Sequence, residues 1–146
     1  ATLHANNTYQ ALQRIINLYP DDAREHLYMD LSMNLRAIIS QRLIPNAQGN
    51  GSVPAVEIML NSPMISDLIM GGEIADIREA MEKSSDEGMM TFDQSLFGLY
   101  ENGSINYEDA MRSAESVNNL RLKIKLEGEA AKSRKSIGST FDQIKF

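Results

Sequence analysis

The sequence predicts an α/β chain in which a short sheet and its helices lead into a mostly helical second half. Two short apolar runs, Arg42 to Ile44 and Val53 to Leu60, flank the turn-rich stretch Asn46 to Ser52 and read as a hairpin. Apolar residues at helical spacing precede it, beginning with Leu12, Ile15, Ile16 and Tyr19. After Leu60, caps and apolar stripes follow one another as in consecutive helices.

Ala1 to Ala5 reads as the end of a buried strand, leading into a helix over Thr8 to Tyr19 that Pro20 stops. Asp22 with Glu25 resembles a capping box. It opens a second helix, striped by Leu27, Leu31, Leu35 and Ile38 and running to about Ile39. A hairpin alone is marginally stable, so the two strands are expected at the edge of a larger sheet, packed on helices or further strands.

Ser62 is a good N-cap, and Pro63 sits at the first helical position, where its missing N–H costs nothing. Ile65, Leu68 and Ile69 form that helix's apolar stripe, and Gly71-Gly72 ends it. Ile74, Ile77 and Met81 mark the next helix, and Asp86 to Gly88 a turn. Thr91 with Gln94 is a capping box ahead of Phe92, Leu96 and Leu99. Gly103 suits a left-handed helix end, and Asn106 with Asp109 starts a helix carrying Tyr107, Ala110, Met111 and Ala114.

Leu120, Leu122, Ile124 and Leu126 alternate with Arg121, Lys123 and Lys125, a period of two that predicts a short edge strand. Beyond it the chain is polar, with Ile137, Phe141 and Ile144 at helical spacing. The predicted organisation is residues 1–60, residues 61–118 as a helical region, and residues 119–146 as a basic strand and tail.

Composition narrows the chemistry. The 146 residues are 42% hydrophobic and 23% charged, an ordinary globular balance. Cys is absent and His numbers two, His4 and His26, which excludes disulfides and thiolate sites and speaks against zinc. No apolar run approaches the ~18 residues of a membrane span, and no signal peptide is evident, so a cytoplasmic chain without a transmembrane segment is expected. The net charge of -6 is unevenly spread: residues 1–118 carry seven Lys/Arg against 17 Asp/Glu, and residues 119–146 seven against three. An acidic body is not that of a nucleic-acid binder.

No phosphate loop, dinucleotide-binding glycine pattern, serine elbow, HExxH or EF-hand loop occurs, and no carboxylate pair stands out as an acid/base couple. The suggestive piece is Thr2-Leu3-His4-Ala5-Asn6-Asn7. It places a histidine after the first strand, on the loop that begins a helix. Ligands gather at the carboxyl ends of strands in open α/β sheets, and helix N-termini offer free N–H groups to anions. An imidazole there can donate to a phosphate oxygen or orient a water. The bland alternative is a histidine that merely caps a loop.

The run Ala1 to Asn7, with Gln10-Ala11-Leu12-Gln13-Arg14-Ile15, resembles the His box of the PilT/PilU-type pilus motor ATPases of the secretion-ATPase superfamily. The likeness continues through Leu35 to Leu43, Ala55 to Leu60, Gly88 to Gln94 and Leu120 to Leu126, and Met81-Glu82-Lys83-Ser84 lies nearer the PilU branch. The resemblance implies the C-terminal part of a RecA-like P-loop ATPase core followed by a helical C-terminal region. The intact protein would then be a homo-hexamer using ATP and Mg²⁺, cytoplasmic and peripheral to the inner membrane. It would act with a PilT-type motor and an inner-membrane pilus platform protein.

In such motors the His-box histidine approaches the terminal phosphate, so His4 is the catalytic candidate, with Thr2 and Arg14 beside it as nucleotide-binding candidates. Arg14 reads equally well as a solvated helix arginine. The family's Ala-Ile-Arg-Asn-Leu-Ile-Arg-Glu coupling block matches Met64 to Gly71, where Ile65, Leu68 and Ile69 persist but both arginines and the glutamate do not. Those three residues are therefore a coupling or plain core stripe. The family's phosphate loop and Mg²⁺-binding acids precede the His box, so this segment is expected to be inactive alone. The alternative reading is a non-catalytic helical interaction or assembly module, whose acidic surface docks a basic partner.

Overall fold

The hairpin organises the computed structural model, which describes residues 1–128. Strands β1 (Ala37–Pro45) and β2 (Ser52–Leu60) pair antiparallel from Ala37↔Leu60 to Pro45↔Ser52. Before them come α1 (Thr8–Asn17), a 3₁₀ turn at Asp21–Ala23 and α2 (Arg24–Asn34). After them come α3 (Pro63–Met70), α4 (Ile77–Lys83), α5 (Phe92–Glu101), α6 (Tyr107–Ser113) and α7 (117–128).

Strand alternation sends Ile38, Ser40, Arg42 and Ile44 of β1 inward with Val53, Ala55, Glu57 and Met59 of β2. The ends of this face are apolar and its middle is polar. Each end joins a separate core. Met59 packs with Leu12, Ile16, Leu27, Ile65, Ile69, Ile77 and Met81, drawn mainly from α1 to α4. Ile44 and Ala55 pack with Phe92, Leu96, Ile105, Ala110 and Leu120, drawn from α5 to α7. On the outward face Ile39 is 70% and Leu43 65% exposed.

Helix ends follow the sequence closely. Ser62 caps α3 through the Ile65 N–H. Gly72 takes φ +70°, while the Glu73 N–H reaches Leu68 O at 2.8 Å and the Gly72 N–H reaches Ile69 O at 3.0 Å. That pair satisfies the last carbonyls in a Schellman arrangement. Thr91 and Gln94 form a complete capping box on α5, and Asn106 caps α6. Ile65 and Ile69 are fully buried, and Leu68 packs partly against the first core.

Five expectations are overturned. Ala1 to Ala5 is not a strand but exposed, irregular chain, because no strand among the described residues offers it a ladder. Asp22 makes no cap hydrogen bond; three residues of 3₁₀ turn precede α2 instead. That helix ends at Asn34 rather than near Ile39: Leu35 is extended at ψ 139°, and the β-branched pair Ile38-Ile39 belongs to β1. Asn61 fixes this ending by donating to Ser32 O at 2.8 Å and Leu35 O at 2.9 Å.

The fourth is the run Leu120 to Leu126, which is helical, within α7. Leu120 and Ile124, one turn apart, face the second core, whereas Leu122 and Leu126 are each 57% exposed. The accidental period of two came from leucines on opposite helix faces. The expected tail, with Ile137, Phe141 and Ile144, lies outside the described residues. Nor does a larger sheet form among the described residues. The far edge of β2 is closed by Met90, whose N–H and C=O pair with Ile58, and by Ser95 Oγ, which accepts from the Val56 N–H at 3.0 Å.

The helical assignment has a direct check. Leu120→Ala should cost about 3 kcal/mol by urea denaturation, while Leu122→Ala should cost less than about 0.5 kcal/mol. Equal losses would restore the strand, in which both leucines share one face.

Candidate functional site

The three predicted nucleotide-binding residues do not converge. Thr2 and His4 lie on the exposed segment before α1, and neither side chain makes a hydrogen bond to a described residue. Arg14 is exposed on α1, about 9 Å along the axis from its first residue, and forms no ion pair among the described residues. The structure does bring together the segment just after His4 and a group of charged side chains at the polar middle of the hairpin.

Asn7 starts the assembly. Its Oδ1 accepts from the Gln10 N–H at 2.8 Å and caps α1, which leaves its amide nitrogen free to donate elsewhere. That Nδ2 donates to Glu115 Oε1 at 2.7 Å. Arg42 comes inward from β1 and lays its guanidinium over the Phe92 ring, 4.1 Å from the centroid. Its Nε donates to Asn6 O at 3.0 Å, its Nη1 to Ser113 O at 3.3 Å and its Nη2 to Glu115 Oε1 at 2.8 Å.

Glu115 is held from the other side by α4 and α5. Arg78 Nη1 lies 3.3 Å from Glu115 Oε2, and Arg78 Nη2 donates to Asp93 Oδ2 at 2.6 Å. Asp93 is buried in the first turn of α5, where the helix dipole favours a carboxylate. It accepts from the backbone N–H groups of Glu115 at 2.8 Å and Ser116 at 3.0 Å. The loop between α6 and α7 is thereby clamped to the start of α5.

Glu57 lies beneath this cluster, 5% exposed, one register step from Arg42 on the same face. Burial pushes its carboxyl up to about 7, helped by the neighbouring Glu115 charge, while the Arg42 charge pulls it down. Its Oε2 and the buried Thr8 Oγ1 have no hydrogen-bond partner among the described residues. Both residues line a cleft of about 230 Å³, shared with Asn7, Arg78, Met81 and Glu115.

Chemically this assembly holds a loop; it does not form a complete active centre. No group of three His, Asp or Glu side chains among the described residues is placed to ligate a metal. His4 offers a single imidazole. The sequence reading passed over Arg42, Arg78, Glu115 and Glu57. An inward register for β1 would have shown Arg42 between Ile38 and Ile44. Glu115, alone in a loop, carries no pattern at all.

No protein-family model matches the chain. It is 49% identical over 130 residues to the type IV pilus ATPase PilU of Pseudomonas aeruginosa, covering 89% of this chain and 34% of that protein. It is 33% identical over 119 residues to the type IV pilus retraction ATPase PilT of the same organism, covering 82% and 34%. Its fold resembles the crystal structure of the pilus retraction motor PilT with bound ADP, at TM-score 0.71 and 32% identity, covering 82% of this chain and 33% of that one. The chain thus spans about a third of the length of the relatives it matches.

Glu57 yields a pH test. Unfolded, its carboxyl titrates near 4.5; folded, near 7. Its favourable contribution is therefore complete below about pH 4.5 and is lost as pH rises through about 7, on the order of 3 kcal/mol in all. Glu57→Gln, compared with the parent by urea denaturation at pH 4.5 and pH 8, should gain about that much relative stability at the higher pH. A constant difference would mean that the carboxyl ionises freely in its cleft.

Proposed function

We propose that this PilU-like segment of the PilT/PilU pilus ATPase family is the C-terminal third of a motor that hydrolyses ATP to drive pilus retraction and twitching motility. The observation that carries this reading is the likeness in sequence to PilU together with the likeness in fold to ADP-bound PilT. Residues 1–60 would complete the ATPase core, residues 61–118 form its helical region, and residues 119–146 follow as a basic end that holds most of α7. The intact protein would assemble as a homo-hexamer at the cytoplasmic side of the inner membrane, with a PilT-type motor and the pilus platform protein as partners. No helix among the described residues is long and apolar enough to cross a membrane.

In this reading His4 is the residue of the segment that reaches nucleotide. Its exposed position ahead of α1 leaves the imidazole free to donate a hydrogen bond to a terminal phosphate oxygen as charge builds there. Thr2 would flank the same nucleotide, and Arg14 would sense it from α1 or meet a neighbouring subunit. ATP and Mg²⁺ would be held chiefly by residues of the longer protein, since phosphoryl transfer needs a phosphate loop and no such motif occurs in these 146 residues. Ile65 and Ile69 are buried and Leu68 half-buried, which supports a core stripe over a coupling surface.

The alternative is a non-catalytic interaction module, favoured by the excess of 17 acids over seven bases in residues 1–118. One measurement checks the segment alone, where both readings agree, and a second separates them. The isolated segment should show no magnesium-dependent ATP hydrolysis. In the full-length protein, His4→Ala should lower turnover by about tenfold or more. Unchanged turnover would remove His4 from the site and favour the docking module.

A further inference from the structure

Building on the reading that His4 faces nucleotide, we propose that Glu115 and Arg42 are positioning residues that fix the His4 loop and tie it to α4, α5 and α6. The segment before α1 is exposed and has no ladder partner among the described residues. Its anchors to the rest of the fold lie at the two residues ahead of α1. The Asn7 Nδ2 donates to Glu115 at 2.7 Å, and Asn6 O accepts from Arg42 Nε at 3.0 Å. From Asn6 to His4 is two residues, a reach of at most about 7 Å, so where Asn6 is pinned largely decides where the imidazole stands.

The far ends of both anchors are themselves fixed. Asp93 holds the backbone at Glu115 and Ser116, Arg78 bridges the Asp93 and Glu115 carboxylates, and Phe92 supports the Arg42 guanidinium. These links are charge-assisted and partly shielded: the side chains of Arg42 and Glu115 are 27% and 13% exposed. A displacement of α5 against the hairpin is thereby carried to the loop through named hydrogen bonds. A reacting group misplaced by about 1 Å forfeits much of its effect on the chemical step. Nucleotide affinity, supplied chiefly by a phosphate loop elsewhere in the protein, would be spared. Neither Glu115 nor Arg42 touches nucleotide in this role.

The test uses steady-state ATP hydrolysis by the full-length protein. Asn7→Ser keeps an acceptor to cap α1 but deletes the donor to Glu115, and Glu115→Gln keeps the shape but not the charge. Each should lower kcat about fivefold or more with the KM for ATP within about twofold, at a melting temperature that shows the protein folded. In a His4→Ala background, either change should lower kcat by less than about twofold further, because the loop no longer carries the group it positions. Unchanged kcat in both variants, a KM rise that accounts for the loss, or the same loss without His4 would overturn the positioning role. If Glu115→Gln fails to fold, Asn7→Ser alone decides. If His4→Ala itself leaves kcat intact, the nucleotide reading fails first, and this inference with it.

Discussion

Everything near the site follows from placing charge on the inward face of a two-stranded sheet. Arg42 and Glu57 project between two apolar cores, and a buried charge is costly unless paired and hydrogen-bonded. The surrounding elements answer that demand. Arg42 receives Glu115, two backbone carbonyls and the Phe92 face. Glu57 receives no such set, and the burial that pushes its carboxyl up also makes it the titrating member of the group.

The sheet itself has only two strands among the described residues. On β2, Met90 takes up the N–H and C=O of Ile58, and Ser95 the N–H of Val56. β1 delivers Arg42 to a point where chain from before α1, the start of α5 and the loop after α6 meet. Segments more than a hundred residues apart in sequence are joined there, as Asn7 is to Glu115. The charged waist separates the cores in space while linking them mechanically.

How much of this was legible in the sequence depended on whether the signal was local. Ser62, Thr91 with Gln94, Asn106, Gly72 and Gly103 act within a few residues of themselves, and each helix terminus they announce is present. Where spacing was ambiguous the reading failed. Ile38-Ile39 extended a helical stripe in sequence but lies in a strand, and the leucines of α7 mimicked a strand from within a helix. The charged cluster was hidden for another reason. Its members Arg42, Arg78, Asp93 and Glu115 are ordinary charges one by one, and their meaning comes only from long-range packing. His4 stood out in the sequence by its place ahead of a helix and by family resemblance, while its geometry, one exposed imidazole, adds nothing that marks it.

The outward face of β1 sets a limit on how the segment behaves in solution by itself. Ile39 and Leu43 stand exposed on a strand whose far edge has no partner among the described residues, a template for edge-to-edge association of copies. Net charge opposes such association, and that opposition weakens near the isoelectric point of about 4.9. At that pH Glu57 is still neutral in its cleft. Raising the pH restores repulsion between copies but ionises Glu57 in its cleft, so solubility and the Glu57 contribution to stability pull in opposite directions.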